Sequence, residues 1–303
     1  MNDAVAAYLA IRRSARFEMV NAEYLLDSFA RFATERHETH IRTQTAIDWA
    51  AQGPSAAQRN ERLKTVCRFA HYVRAEDNRH QLPPANYFGC RKTRRPPYIY
   101  SSDEIGRLLE AAGNLGPRGA MRARTYTALI ALLASTGLRV SEALGLTFGD
   151  ITPDGLLIRD TKFRKTRLVP LHDTAAAGLQ LYIMNRRELG AGDEHVFVGG
   201  HGRQLPYSAV HCTFRTLLKT ACLWPATGRH RPRLHDLRHA FAVRALQASP
   251  AGRARVGQHM VALATYLGHG NIYATYWYLE ATPDLLSDVA SAGEAFMAGE
   301  AQP

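Results

Sequence analysis

His269 is followed nine residues later by Tyr278 in the run LGHGNIYATYWYLE. Upstream stand His235 and Arg238 in LHDLRHAF, and farther upstream Arg139 in STGLRVSEALGL. A tyrosine can supply an attacking oxygen, arginines can hold an anionic phosphate, and histidines can donate hydrogen bonds or move protons. Gathered in one domain, these residue types point to phosphoryl transfer through a tyrosine nucleophile.

Each residue has a plainer reading when taken alone. Arg139 lies just past Gly137, at the mouth of a helix expected to begin near Val140. A guanidinium there offers a planar fork beside helix N-terminal amides, and both favour anions. It could equally pair with Glu142 at a surface. His235 and Arg238 are three apart and so share one helix face, but HxxR is a short motif that recurs by chance. A lone His269 reads as a satisfied core histidine. Tyr273, Tyr276 and Tyr278 all compete for the nucleophile. A free phenol ionises at about pH 10, so its proton must leave as it attacks, and nearby cations favour the phenolate. In TKFRKT, Lys162 and Lys165 stand beside Arg164 and Arg167. A basic hairpin tip of this kind could simply track a phosphate backbone.

The elements that must position these residues follow from periodicity and breakers. Residues 1–82 read as four or five short helices, with Tyr8, Leu9, Ile11 and Phe17 and then Tyr24, Leu25, Phe29 and Phe32 at helical spacing. Thr43–Ala50 and Arg59–Val73 add two more, separated by Gly53–Ser55. Residues 83–100 form a proline-flanked linker carrying Arg91, Lys92, Arg94 and Arg95, bases that can lie along a phosphate backbone. A second domain, 101–303, opens on a capping box at Ser101 and Glu104. A long helix over Thr125–Ser135 ends at Gly137. LLIRD and RLVPLH then flank TKFRKT as a β-hairpin. Further helices are expected over Thr174–Glu188, Tyr207–Cys222, His235–Leu246 and Met260–Leu267, with another helical stretch near Tyr273–Leu279. The fold class is mainly α with a small β-sheet.

The chain has 303 residues and a net charge of +11, with a pI near 9.7. Such an excess favours a polyanion, and nucleic acid is the commonest one. From Arg203 to Arg238 seven bases face a single acid, Asp236, and Arg229, Arg231 and Arg233 fall just before the HxxR motif. Contacts of these bases with phosphates should weaken steeply with salt. Cys67, Cys90, Cys212 and Cys222 form no CxxC pair, which argues against a zinc site or a disulfide framework. No apolar run is long enough to span a membrane, and the N-terminus lacks the order of a signal peptide. A reducing cytoplasm is the expected setting.

In order and spacing the segments TGLRVSEALGL, HDLRH and LGH with its following tyrosine resemble the tyrosine recombinase (phage integrase) family of DNA strand-exchange enzymes. That resemblance implies a helical core-binding domain over 1–82 and an α+β catalytic domain over 101–303, forming a C-shaped clamp on double-stranded DNA. It gives Arg139 and Arg238 the phosphate-clamp roles, His235 proton handling and phosphate contact, and His269 contact with the scissile phosphate. Glu142 and His239 become supports. Family spacing selects Tyr278 as nucleophile, with Tyr276 as runner-up. Counting back from Pro170 puts the family's hairpin lysine, the general acid, on Lys162, with Lys165 as the alternative. Arg164 and Lys165 are then expected at the DNA as well.

The implied reaction joins DNA to the enzyme through a 3′-phosphotyrosyl link and needs no cofactor and no metal. A homotetramer on two duplexes is expected, with companion recombinases as possible partners. The LGHGNIYATYWYLEATPDLL segment looks most like recombinases borne by mobile elements, against a phage integrase or an Xer-type resolvase. Alternative readings are a type IB topoisomerase-like relaxing enzyme and a catalytically silent DNA-binding protein of a mobile element. One departure is ASPAGRARVGQHM, between Arg238 and His269, which looks longer than the usual family spacing. The tail after Tyr278 has a helix-like stretch, LLSDVASAGEAF, suited to packing on a neighbouring protomer.

Overall fold

The computed structural model describes residues 1–89, 96–117, 120–159, 166–188, 190, 193–200, 202–225, 231–248, 256–269, 271, 275, 278 and 294. The chain divides into two compact units, Met1–Arg95 and Pro96–Pro303.

The first unit is helical: α1 (Asn2–Ser14), α2 (Val20–Thr34), α3 (Thr43–Ala51) and α4 (Ala56–Glu76). The apolar stripes of these helices close on Leu26, Phe29, Ile41, Trp49, Leu63, Val66 and Phe69. Phe29 and Trp49 meet edge to face, with centroids 5.4 Å apart. The GPS breaker separates α3 from α4, and Ser55 caps α4 by accepting from the Gln58 amide at 3.3 Å.

Beyond α4 a polar latch closes the unit. His40 Nε2 lies 3.1 Å from Asp77 Oδ2, and the Ile41 amide donates to His80 Nδ1 at 3.0 Å. His40, Asp77 and His80 form the one group among the described residues whose atoms lie within metal-ligand reach of one another. Those atoms are already engaged: Arg79 forks Asp77, and the Ile41 N–H occupies a ring nitrogen of His80. The cluster joins residues 38–42 to the end of α4.

The second unit begins with α5 (Ser102–Gly113), entered through a complete capping box in which Ser101 and Glu104 satisfy each other's amides at 3.2 and 2.9 Å. It continues with α6 (Met121–Thr136), α7 (Val140–Leu144) and a 3-10 turn at Phe148–Asp150. Three short strands follow, β1 (Ile151–Thr152), β2 (Gly155–Ile158) and β3 (Arg167–Val169), antiparallel in the order β1-β2-β3. Then come α8 (Asp173–Arg187), α9 (Tyr207–Thr220), α10 (Asp236–Gln247) and α11 (Val256–Leu267).

The hairpin expected from the sequence is present as β2 and β3, with Leu156 opposite Val169 and Ile158 opposite Arg167. Its basic tip lies outside the described residues. β1 has only two residues and carries no periodicity of its own. His235 is the N-cap of α10 rather than its first helical residue.

Two apolar clusters organise this unit. The larger gathers Leu108, Leu129, Leu133, Leu156, Val196, Phe197 and Leu237. The smaller packs Ala242, Val243 and Leu246 of α10 against Met260, Leu263 and Leu267 of α11, and Tyr278 belongs to it. The link between α6 and α7 is sharply constrained. Gly137 closes α6 with φ of 62°, and a Cβ there would lie 2.5 Å from Phe241 Cδ1. Glycine is required both by the left-handed backbone and by the aromatic ring of α10.

Gly137→Ala therefore combines backbone strain with a clash, and should destabilise the second unit by roughly 1–3 kcal/mol. Calorimetry should show its melting temperature falling by about 2–4 °C for each kcal/mol. An unchanged melting temperature would mean that Phe241 yields freely and that this packing is not a constraint.

Candidate active site

The end of α11 sets the geometry of the site. Its last turn closes with Gly268 in the left-handed conformation, φ 67°. The Gly268 amide donates to Thr265 O at 3.0 Å and the His269 amide to Ala264 O at 2.9 Å, the two bonds of a Schellman cap. The carbonyls of Tyr266, Leu267 and Gly268 are left to find donors outside the helix. Each is taken by a different arginine: Arg167 Nε donates to Tyr266 O at 2.8 Å, Arg238 Nη2 to Leu267 O at 2.6 Å, and Arg139 Nη2 to Gly268 O at 3.2 Å. The C-terminal end of a helix carries partial negative charge and suits cations.

Arg238 is 2% exposed. Its second anchor is Gly137 O at the end of α6, 2.7 Å from Nη1. Burial, and after it the charge of Arg139, bring its pKa down to about 10, against the opposing pull of Tyr278 and Glu142. It therefore stays charged at neutral pH. The Tyr278 phenol lies close enough to this guanidinium to favour its charged form. Arg139 is the N-cap of α7, where Glu142 accepts from its backbone amide at 2.9 Å and from its Nη1 at 2.6 Å. The pairing with Glu142 and the placement at the cluster are thus both realised.

The aromatic rings line up beside these cations. His269 and Tyr278 are stacked with centroids 6.0 Å apart, His239 lies 5.4 Å from Tyr278, and His235 lies 4.9 Å from His239. Burial, reinforced by Arg238, Arg139, Arg167 and His235, lowers His269 to about 4. His235 is shifted down in the same direction by burial and then by Arg238. His269 is a neutral donor at pH 7.

The structure brings Arg139, His235, Arg238, His269 and Tyr278 into one cluster. Lys162 and its alternative Lys165 lie outside the described residues, as do Arg164, Arg91, Lys92, Arg94, Arg95, Arg229 and the rival tyrosines Tyr273 and Tyr276. Of the basic residues before α10, Arg231 lies over the Trp224 ring at 4.1 Å. Arg233 spends its Nη2 and its amide on Asp236, at 2.9 and 2.8 Å. Tyr100 donates to the Arg233 carbonyl at 3.2 Å, so this loop is fixed from both sides just before His235.

Two residues in the cluster do not stand out in the sequence. Arg167 reads there only as part of the basic hairpin. Thr275, fully buried, has its Oγ1 2.7 Å from His269 Nδ1. Thr275 stands three residues before Tyr278, hence on the same helix face, and that spacing is the available signal. With the Thr275 hydroxyl donating, the single proton of neutral His269 resides on Nε2.

Because His269 titrates at about 4 in the folded chain, the unfolded chain, with a histidine pKa of about 6.5, takes up this proton first as pH falls. Its contribution to stability is complete above about pH 6.5 and is lost progressively towards pH 4. His269→Gln should flatten the fall of melting temperature across that window. A slope equal to that of the wild type would show that His269 is not held neutral by its surroundings.

Comparison with known proteins identifies the family and the fold. The pattern of the Phage integrase family matches residues 99–284. A putative integrase/recombinase of Sinorhizobium fredii, y4rB, is 38% identical over 296 residues, covering 94% of each chain. The tyrosine recombinase XerD of Caulobacter vibrioides is 28% identical, over 95% of this chain and 93% of its own. Among solved structures, XerH recombinase bound to its palindromic difH substrate superposes with a TM-score of 0.68 at 20% identity, over 93% of this chain and 82% of that one. The Tn1549 transposon integrase in complex with transposon right end DNA gives 0.66 at 19% identity, over 95% and 98%. The shared fold, the close relatives and the cluster of arginines, histidines and a tyrosine make this chain a member of the phage integrase family of tyrosine recombinases.

Proposed function

We propose that this protein is a site-specific DNA recombinase in which Tyr278 is the nucleophile. The observation that carries this reading is the buried Tyr278 ring stacked on His269, 6.0 Å between centroids, with the Arg238 charge near enough to be felt by the phenol. An oxygen near the group that would bind the phosphate needs only a small displacement to reach phosphorus in line.

In the proposed reaction Arg139 and Arg238 face the non-bridging oxygens of the scissile phosphate, and neutral His269 and His235 donate hydrogen bonds to it. Charge building on the pentavalent phosphorus meets dipoles and cations already in place. Tyr278 Oη bonds to phosphorus as the bond from phosphorus to the 5′ oxygen breaks. His235 takes the phenolic proton, and Lys162 supplies one to the departing 5′ oxygen. A 5′ hydroxyl of a second duplex then attacks the 3′-phosphotyrosyl link and releases the tyrosine. One phosphodiester is made for each one broken, so no nucleotide hydrolysis is required.

The helical unit over 1–82 is assigned to grip the DNA duplex together with the catalytic domain over 101–303, the basic linker over 83–100 crossing it. A further contact surface is assigned to α9 and the segment after it. Arg215, Lys219 and Arg231 converge on the Trp224 indole at 5.8, 5.2 and 4.1 Å. The ring face favours cations, and their mutual repulsion is relieved by a phosphate. The working form is assigned as a homotetramer on two duplexes, which companion recombinases can join. The host setting is a mobile element acting in the cytoplasm. Among the described residues no helix is long and apolar enough to cross a membrane.

Suicide duplexes nicked at different positions, drawn from the flanking DNA, should trap a covalent protein–DNA band on denaturing gels. The band should vanish with Tyr278→Phe and persist with Tyr276→Phe. Survival in Tyr278→Phe would move the nucleophile elsewhere. Joining of two separate duplexes distinguishes recombination from relaxation alone. For noncovalent binding, Arg215→Gln or Lys219→Gln should reduce the salt slope of log K by about 0.9 for each phosphate no longer neutralised. Unaltered slopes would remove the Trp224 surface from the interface.

A further inference from the structure

Arg167 is the third arginine on the row of carbonyls ending α11, and its fork is taken by a carboxylate. Nη1 and Nη2 donate to the two carboxylate oxygens of Glu142 at 3.1 and 2.8 Å, while Nε holds Tyr266 O. Both partners are enclosed, with side chains 10% and 6% exposed. The same carboxylate holds Arg139, whose side chain is 26% exposed. The arginine also fills the space beneath the cap of α11, where a Cβ on Gly268 would come within 2.7 Å of Nη1.

Charge counting gives this arrangement a purpose. A buried carboxylate facing Arg139 alone would cancel the cation meant for a phosphate. Burial pushes the Glu142 carboxyl upward, but hydrogen bonds from Arg167 and the Arg139 amide outweigh it, so the group stays ionised. With Arg167 present, two guanidinium groups share one carboxylate, and one net positive charge remains on this trio beside that of Arg238. Arg167 also starts β3, directly after the hairpin segment expected to carry the general-acid lysine. It thus ties that strand to the cap supporting His269.

We propose that Arg167 is a positioning residue for strand cleavage: by taking Glu142 bidentately it leaves Arg139 charged towards the phosphate, and by holding Tyr266 O it fixes the turn bearing His269. This rests on the recombinase reading and assigns Arg167 no contact with DNA.

The test is single-turnover cleavage of a suicide duplex, with noncovalent DNA affinity and melting temperature measured on the same proteins. Arg167→Met should slow cleavage on the order of 10²-fold while noncovalent affinity stays near that of the wild type. Adding Glu142→Gln to Arg167→Met should restore part of the rate, because the uncompensated carboxylate is then gone. A merely space-filling arginine would give no such rescue. If Arg167→Met does not fold, Arg167→Lys and the Glu142→Gln/Arg167→Gln double variant decide. The lysine keeps the charge but loses the fork and should cleave more slowly than wild type, and the double variant should cleave faster than Arg167→Gln. Wild-type rates in Arg167→Met or Arg167→Lys, or a double variant slower than its Arg167 parent, would overturn the inference. Failure of the recombinase reading looks different: the wild-type protein itself would form no covalent band.

Discussion

Three consecutive carbonyl oxygens, those of Tyr266, Leu267 and Gly268, each accept from a different arginine. A helix end buried without partners is costly, and so is a guanidinium without acceptors. Here each deficit meets the other. The arrangement fixes the spacing of the cations by the spacing of the peptide chain, which side-chain flexibility cannot blur. It also explains why lysine is a poor substitute at these positions, since an ammonium cannot reach a carbonyl with one nitrogen and present others in a plane to a second partner. Gly137 and Gly268 close the two helices whose ends supply the anchors of Arg238.

Concentrating guanidinium groups has an electrostatic effect on the neighbouring rings. His269 is driven down to about 4 by burial and then by three arginines and His235. A neutral imidazole can donate one hydrogen bond without adding to the repulsion. Guanidinium groups fixed close together in this way repel one another, a repulsion that an anion would relieve. Preorganised charge of this kind stabilises a transition state without reorganisation during the reaction.

Much of this is legible in the chain because the governing signals are local. Ser101 and Glu104 form the capping box that their spacing implies, and Gly137 ends α6 as a glycine after an apolar run should. Arg139, Arg238, His269 and Tyr278 stand in short motifs whose order is visible without a fold. The roles of Arg167 and Thr275 are hidden for a physical reason. Arg167 finds Tyr266 across 99 positions and Glu142 across 25; in sequence it is one more base in a basic hairpin. Arg233 shows the converse. Its charge suggests DNA, while Asp236, three residues away and 1% exposed, takes its fork. β1 pairs through two residues only, too few for any alternation to register.

The carbonyl row also bears on the life of the chain during synthesis. Arg139 leaves the ribosome well before the segment that anchors it, and Arg238 precedes its second acceptor, Leu267, by 29 positions. Until α11 has emerged and capped itself, the arginines have no common frame, and Tyr278 comes later still. A nascent chain thus holds these arginines without the row of acceptors that spaces them. Ordering of the cluster arrives together with completion of α11, so that truncated or stalled products carry the cations without the means to organise them.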